Sequence, residues 1–290
     1  MRCNKIRRGK HMNTLDLLRF PFVQYALIVS ALMAVCASLI GVPLVLRRYS
    51  FMGFGLSNVA FMGMALAIVI NVTNSLFIIM PLTVFATILL VGFGNRYKKI
   101  SGDASLAMIT VGSLAIGHFA INTFSMRGNI TADVGETLFG GMRLLTLRMS
   151  DVWQSVGLTA FVLAFFVFFY HKIFAVTFDA DFMKATKQHP MMYELLLSII
   201  TGVVIAMTMN FLGSLLTASL IVFPALSVMR LFKAYKMVMI FAAFAAASCS
   251  LLGIFVSILF EFPATTTIIL VNMLMFVLAF VTNALRKALM

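Results

Sequence analysis

From residue 20 onward the chain alternates long apolar runs with short polar interruptions. A helix needs about 20 mostly apolar residues to cross a bilayer core. Nine runs approach that length, at roughly 22–46, 55–71, 75–94, 104–124, 151–170, 191–210, 213–229, 237–259 and 265–285. The third is closed by Asn95-Arg96-Tyr97-Lys98-Lys99 and the eighth by Glu261-Phe262-Pro263, where proline cannot continue a helix. The seventh is short, begins at Gly213 just after the sixth ends, and contains Pro224. It is either a full span or a helix that is broken or re-entrant near Pro224, which is tolerated only against other protein. The expected fold is an all-α polytopic membrane protein of eight or nine transmembrane helices.

Composition agrees with this class. Of 290 residues, 62% are hydrophobic and 11% charged, against about a quarter charged in soluble domains. The net charge of +13 is scattered through short loops instead of forming a patch, which is the pattern of membrane orientation and not of a nucleic-acid surface. Counted from Met12, one set of alternate loops holds Arg47, Arg48, Arg96, Lys98, Lys99, Lys172, Lys184, Lys187, Arg230, Lys233, Lys236, Arg286 and Lys287. The other holds only Arg19, Arg127, Arg143 and Arg148. The richer set belongs in the cytoplasm, which places the C-terminus inside and, with nine spans, the N-terminus outside. Arg2, Lys5, Arg7, Arg8 and Lys10 contradict that assignment. Residues 1–11 are therefore read as an extension that is not native, and 12–290 as a single transmembrane domain starting at Met12. On this reading Asn13 to Leu18 form a short capped helix along the outer interface. Cys3, Cys36 and Cys249 are isolated and odd in number, which supports neither a disulfide framework nor a zinc ribbon.

Enzyme chemistry is missing from the sequence. It has no Gly-x-x-x-x-Gly-Lys-Ser/Thr phosphate loop and no His-Glu-x-x-His. The nine acids fall in loops or at helix ends, so the chain lacks the intramembrane carboxylate that a proton- or sodium-coupled carrier normally keeps. Energy for transport is expected from elsewhere. His118 lies well within a span, either as a polar lining or ligand residue or as a hydrogen-bonded packing residue.

Four stretches, in order, carry a family resemblance. Leu46 to Leu66 opens with Arg47-Arg48, then Ser50-Phe51-Met52-Gly53, then Leu56-Ser57 and a run of small residues. Phe178 to Ala185 is an Asp-containing turn leading into a short helix, Gly213 to Ala225 ends in Phe223-Pro224-Ala225, and Phe262 to Thr266 starts the last run with a proline. Together they resemble the permeases of zinc/manganese-type ABC importers, collinearly from about residue 17 to the end. The resemblance implies the transmembrane subunit of an ATP-driven importer in a prokaryotic cell membrane, forming a pathway as a homo- or heterodimer. It implies cytoplasmic ATPase subunits that carry the ATP and Mg, a substrate-capturing protein outside, no cofactor in this chain, and a divalent metal (Mn, Zn or Fe) as substrate. It also implies that Asp179, Asp181, Met183, Lys184 and Ala185 form the segment that docks on the ATPase; the alternative for that segment is a plain solvated loop. The outer segment 125–150, with Asp133, Glu136, Arg143 and Arg148, is either a short helix at the pathway mouth or a connecting loop.

The start of the second span departs from the family. Where relatives carry Asp after Met-Gly and His after Leu-Ser, this chain has Phe54 and Asn58. Residues four apart share a helical face and can hold an ion between them, but Phe54 has no donor atom and Asn58 offers one neutral carbonyl oxygen. Phe54, Ser57, Asn58 and His118 are the candidate pathway residues, with Asn58 the one candidate metal ligand. Four explanations stay open: a different partner permease that keeps the ligands, softer contacts from Met52, Met62 or Met64, a metal–chelate or other small polar solute, or an ion that does not pause in the channel. Gly53, Gly55 and Ser57 also favour close helix approach. The rival classes are a secondary carrier or channel and a membrane-embedded enzyme.

Overall fold

The computed structural model describes residues 20–70, 72, 74–96, 102–124, 140, 144, 146–178, 183 and 190–288. Ten helices are described and no strand occurs among these residues. They are α1 Pro21–Leu46, α2 Met52–Val69, α3 Leu76–Arg96, α4 Gly102–Phe124, α5 Met149–Phe168, α6 Tyr170–Phe178, α7 Pro190–Leu212, α8 Ser214–Leu231, α9 Tyr235–Phe260 and α10 Ala264–Ala288. Eight of these are long and apolar enough to cross a membrane, and α3 adds a shorter apolar stretch at Leu76–Leu90. The chain is thus an all-α, multi-pass membrane protein. Residues 1–11 and the interfacial helix expected at Asn13 to Leu18 lie outside the described residues.

Helix ends follow local chemistry. Proline occupies the first position of α1, where its missing N–H costs nothing. The Asp151 carboxylate accepts from the Arg148 backbone N–H at the start of α5. Glu261 stops α9 in a left-handed conformation (φ 56°), and Pro263 leads into α10. For the seventh run the structure selects the continuous helix. α8 is continuous through Pro224 from Ser214 to Leu231, and the chain breaks instead at Gly213 (φ 87°, ψ 166°), the single residue between α7 and α8. A side chain is poorly tolerated at that φ, so glycine makes the sharp reversal possible. Beyond the expected runs, α6 adds nine helical residues that follow α5 after Phe169 alone.

α1 packs against α5, α8 and α9, while α2 packs against α3, α4, α7 and α8. α8 therefore joins two halves of one bundle. Burial is graded: 78% of the central stretch of α7 is buried against 17% for α10. Lipid is as apolar as leucine, so helices associate through close contact rather than through hydrophobic exclusion. Small residues supply the contact. A methyl group at Gly41 of α1 would overlap the Ile221 carbonyl of α8, one at Gly253 of α9 would lie 2.6 Å from the Ile268 Cα of α10, and one at Gly202 of α7 would lie 2.9 Å from the Val84 Cα of α3.

Cys36 is fully buried, and its thiol donates to the Thr159 hydroxyl of α5 at 3.3 Å. In a Cys3→Ser, Cys249→Ala background we expect no modification of Cys36 by a maleimide in the native protein and complete modification after denaturation in SDS. Mass spectrometry reads both, and modification of the native protein would contradict the α1–α5 contact.

Candidate functional site

The candidate pathway begins at the turn between α1 and α2. α1 ends in a Schellman arrangement: Tyr49 N–H donates to Leu44 O at 2.9 Å and Arg48 N–H to Val45 O at 3.0 Å, with Arg48 itself left-handed at φ 65°. Met52 N–H then bonds Tyr49 O at 2.9 Å, and α2 starts there, three residues before the expected run. Phe54 consequently lies in the first turn of the helix. It is half-buried, with its ring 5.4 Å from that of Phe51.

α2 is wedged among neighbours on every side. A Cβ at Gly53 would touch Ile221 of α8 at 3.0 Å, one at Gly55 would meet the Thr110 hydroxyl of α4 at 2.8 Å, and one at Gly63 would meet Ile79 of α3 at 3.2 Å. Close approach is thus the observed role of Gly53 and Gly55. Further along, Gly117 of α4 packs on the Phe61 ring and the Met62 backbone. Both residue numbers rise together in these pairs, so α2 and α4 run parallel, and Asn58 is level with the Thr110–Ser113 stretch.

Ser57 and Asn58 are buried, at 0% and 1% exposure. The Ser57 hydroxyl donates back to Phe54 O at 2.8 Å. Most buried hydroxyls here do the same within their own helix, as Thr83, Thr110, Thr159 and Thr201 show. Asn58 does not: its Nδ2 is buried with no partner, together with Tyr235 Oη, Ser250 Oγ, Thr265 Oγ1 and Asn272 Oδ1 among the described residues. Of these, only Asn58 lies on α2. A buried N–H left unpaired costs free energy, and as a donor it suits an acceptor atom and not a cation.

The structure brings Phe54, Ser57 and Asn58 together on α2, with Phe54 and Asn58 one turn apart. His118 is half-buried farther along α4, and its ring lies 5.6 Å from that of Phe61. Met52 and Met64 are buried in apolar clusters. Among the described residues no three His, Cys, Asp or Glu side chains gather where they could hold a metal ion. In the expected docking segment Met183 is buried at 1% exposure, while Asp179, Asp181, Lys184 and Ala185 lie outside the described residues, as do Asp133, Glu136 and Arg143.

One cluster went unread in the sequence. Arg47, at the C-terminal cap of α1, donates from Nη2 to the Glu194 carboxylate of α7 and to Val176 O of α6 at 3.0 Å. In the sequence Arg47 counts among the loop charges and opens the family-like stretch, and Glu194 is one of the acids at helix ends. A signal was available: Glu194 has no basic residue three or four positions away on its own helix, so its charge needed a distant partner.

These features define an all-α, multi-pass membrane protein with a buried Asn58 Nδ2 that has no hydrogen-bond partner. Residues 19–283 match the model of the ABC 3 transport family. The chain belongs to that family, and is accordingly a transport component, not an enzyme. It is 26% identical to the manganese transport system membrane protein MntC of Halalkalibacterium halodurans, over 91% of this chain and 88% of that protein. It is 24% identical to the high-affinity zinc uptake system membrane protein ZnuB of Haemophilus influenzae, over 90% and 97%. Among solved structures it is similar to PsaBC from Streptococcus pneumoniae in complex with Fab, with a TM-score of 0.80, 23% identity and coverage of 92% and 94%.

Proposed function

We propose that this chain is the membrane permease of an ATP-driven importer for a divalent transition metal ion, with manganese as the first candidate. The observation that carries the reading is the match of residues 19–283 to the ABC 3 transport family. The names of its relatives support the choice of manganese, zinc or iron. Two permease copies, or this chain with a different permease, enclose the pathway. ATP is hydrolysed on cytoplasmic partner subunits that dock against the segment between α6 and α7, and a binding protein delivers substrate from outside. The excess of Lys and Arg at the end of the bundle that carries Arg47, Lys172 and Arg230 supports a cytoplasmic position for that end, with the C-terminus inside and the N-terminus outside.

A second reading is favoured by Phe54 and the neutral Asn58. A pathway without charged ligands suits a metal–chelate or another small polar solute, whose own donors already satisfy the metal.

Reconstituted with its ATPase and binding protein, the chain should import Mn²⁺ into liposomes only with ATP, with Zn²⁺, Fe²⁺ and Cu⁺ tested as competitors. Import that persists without the ATPase would overturn the main reading. Indifference to all four ions would remove a free metal ion as substrate and leave the chelate reading.

A further inference from the structure

We propose that Arg47 is the positioning residue that transmits movement of α6 against α7 to the start of α2. This rests on the reading of the chain as an ATP-driven permease and adds to it a mechanical link.

The link is built from three contacts at one guanidinium. Arg47 caps α1; through Nη2 it donates to Val176 O, near the end of α6, and to the Glu194 carboxylate, in the second turn of α7. Those two helices flank the proposed docking segment, so a single side chain holds both of its roots. The pair is largely shielded, with side-chain exposures of 14% for Arg47 and 12% for Glu194. Shielding from water makes a charge-assisted bond strong and direction-specific.

The other end of the link is short and stiff. From Arg47 the chain passes through the left-handed Arg48 and the Schellman bonds to Leu44 and Val45, and the Tyr49–Met52 bond then opens α2. These bonds tie Arg47 to the first residue of α2 across a four-residue turn. Phe54, Ser57 and Asn58 follow within the first two turns of α2. A shift of α6 against α7 therefore either breaks the Arg47 contacts or carries the start of α2 with it. An exposed ion pair would simply break, because solvent replaces it at little cost.

A purely structural staple predicts lower stability and nothing else. A positioning role predicts loss of coupling in a protein that still assembles. Ser57 is fully buried, so labelling of a Ser57→Cys substitution reports opening of the α2 face and needs no knowledge of the substrate. The assay uses the full complex with its ATPase in liposomes, in a Cys3→Ser, Cys36→Ser, Cys249→Ala background, with a small methanethiosulfonate reagent. ATP should accelerate labelling in this parent. In Arg47→Gln and in Glu194→Gln the ATP-dependent acceleration per ATP hydrolysed should fall about tenfold, within the range of ordinary allosteric coupling. The exchange of charges, Arg47→Glu with Glu194→Arg, should restore part of it.

Glu194→Gln keeps the shape and an acceptor oxygen, so it carries the test if the arginine variants fail to assemble. Single variants that retain the parental acceleration would overturn the role of Arg47. A parent whose labelling never responds to ATP would overturn the permease reading itself, and the proposal with it.

Discussion

The double substitution Phe54→Asp with Asn58→His is expected to raise retention of Zn²⁺ or Mn²⁺ by the purified permease by about 100-fold, which corresponds to roughly 3 kcal/mol. The two positions are one turn apart on α2, so a carboxylate and an imidazole placed there share a face and can close on one ion. Asn58 is buried and its Nδ2 is unpaired, so the new imidazole replaces an amide that contributes no hydrogen bond from that nitrogen. Without metal the variant should be less stable than the parent, because a carboxylate buried in the membrane is costly. With metal the difference should shrink. Equilibrium dialysis and melting with and without Mn²⁺ read both effects. An unchanged affinity in a folded variant would mean that this face of α2 does not line the substrate path.

The second large effect concerns helix contact. Gly41→Ala is expected to lower stability by about 3 kcal/mol, the upper end of the usual cost of overpacking. Two terms oppose each other at this position. Alanine is the better helix former by roughly 0.5–1 kcal/mol. The added methyl, however, would overlap the Ile221 carbonyl, a backbone atom that can move only if α8 moves. Packing therefore decides the sign. Gly157 of α5 has nothing within 4 Å of an added Cβ, so Gly157→Ala should leave the Tm unchanged or raise it. Thermal melts of the two variants in the same detergent separate the terms, and a Gly41→Ala protein as stable as the parent would contradict the α1–α8 contact.

These two cases show how unevenly the site could be read in advance. The Phe54–Asn58 spacing needs only the helical period, and the helix is dictated by an apolar run in a bilayer. Gly41 has no such signal. It is one of the 18 glycines of the chain, and its importance comes from a carbonyl 180 residues away in sequence. Arg47 and Glu194 fall between the extremes. The absence of a local partner for Glu194 was legible, but the identity of the partner was not, because 147 positions separate the two.

The sequence by itself determined the class and the approximate ends of the spans. Both follow from local chemistry: apolar length against bilayer thickness, and proline and charge at the ends. The order of helices within the bundle was decided only by tertiary structure. Its helices are apolar on nearly all faces, so no stripe of hydrophobicity distinguishes the side that meets lipid from the side that meets protein. What distinguishes them is where small residues permit backbone approach and where a polar group finds a partner. Gly41 against Ile221 and Arg47 against Glu194 are contacts between distant segments that exist only once the helices have assembled.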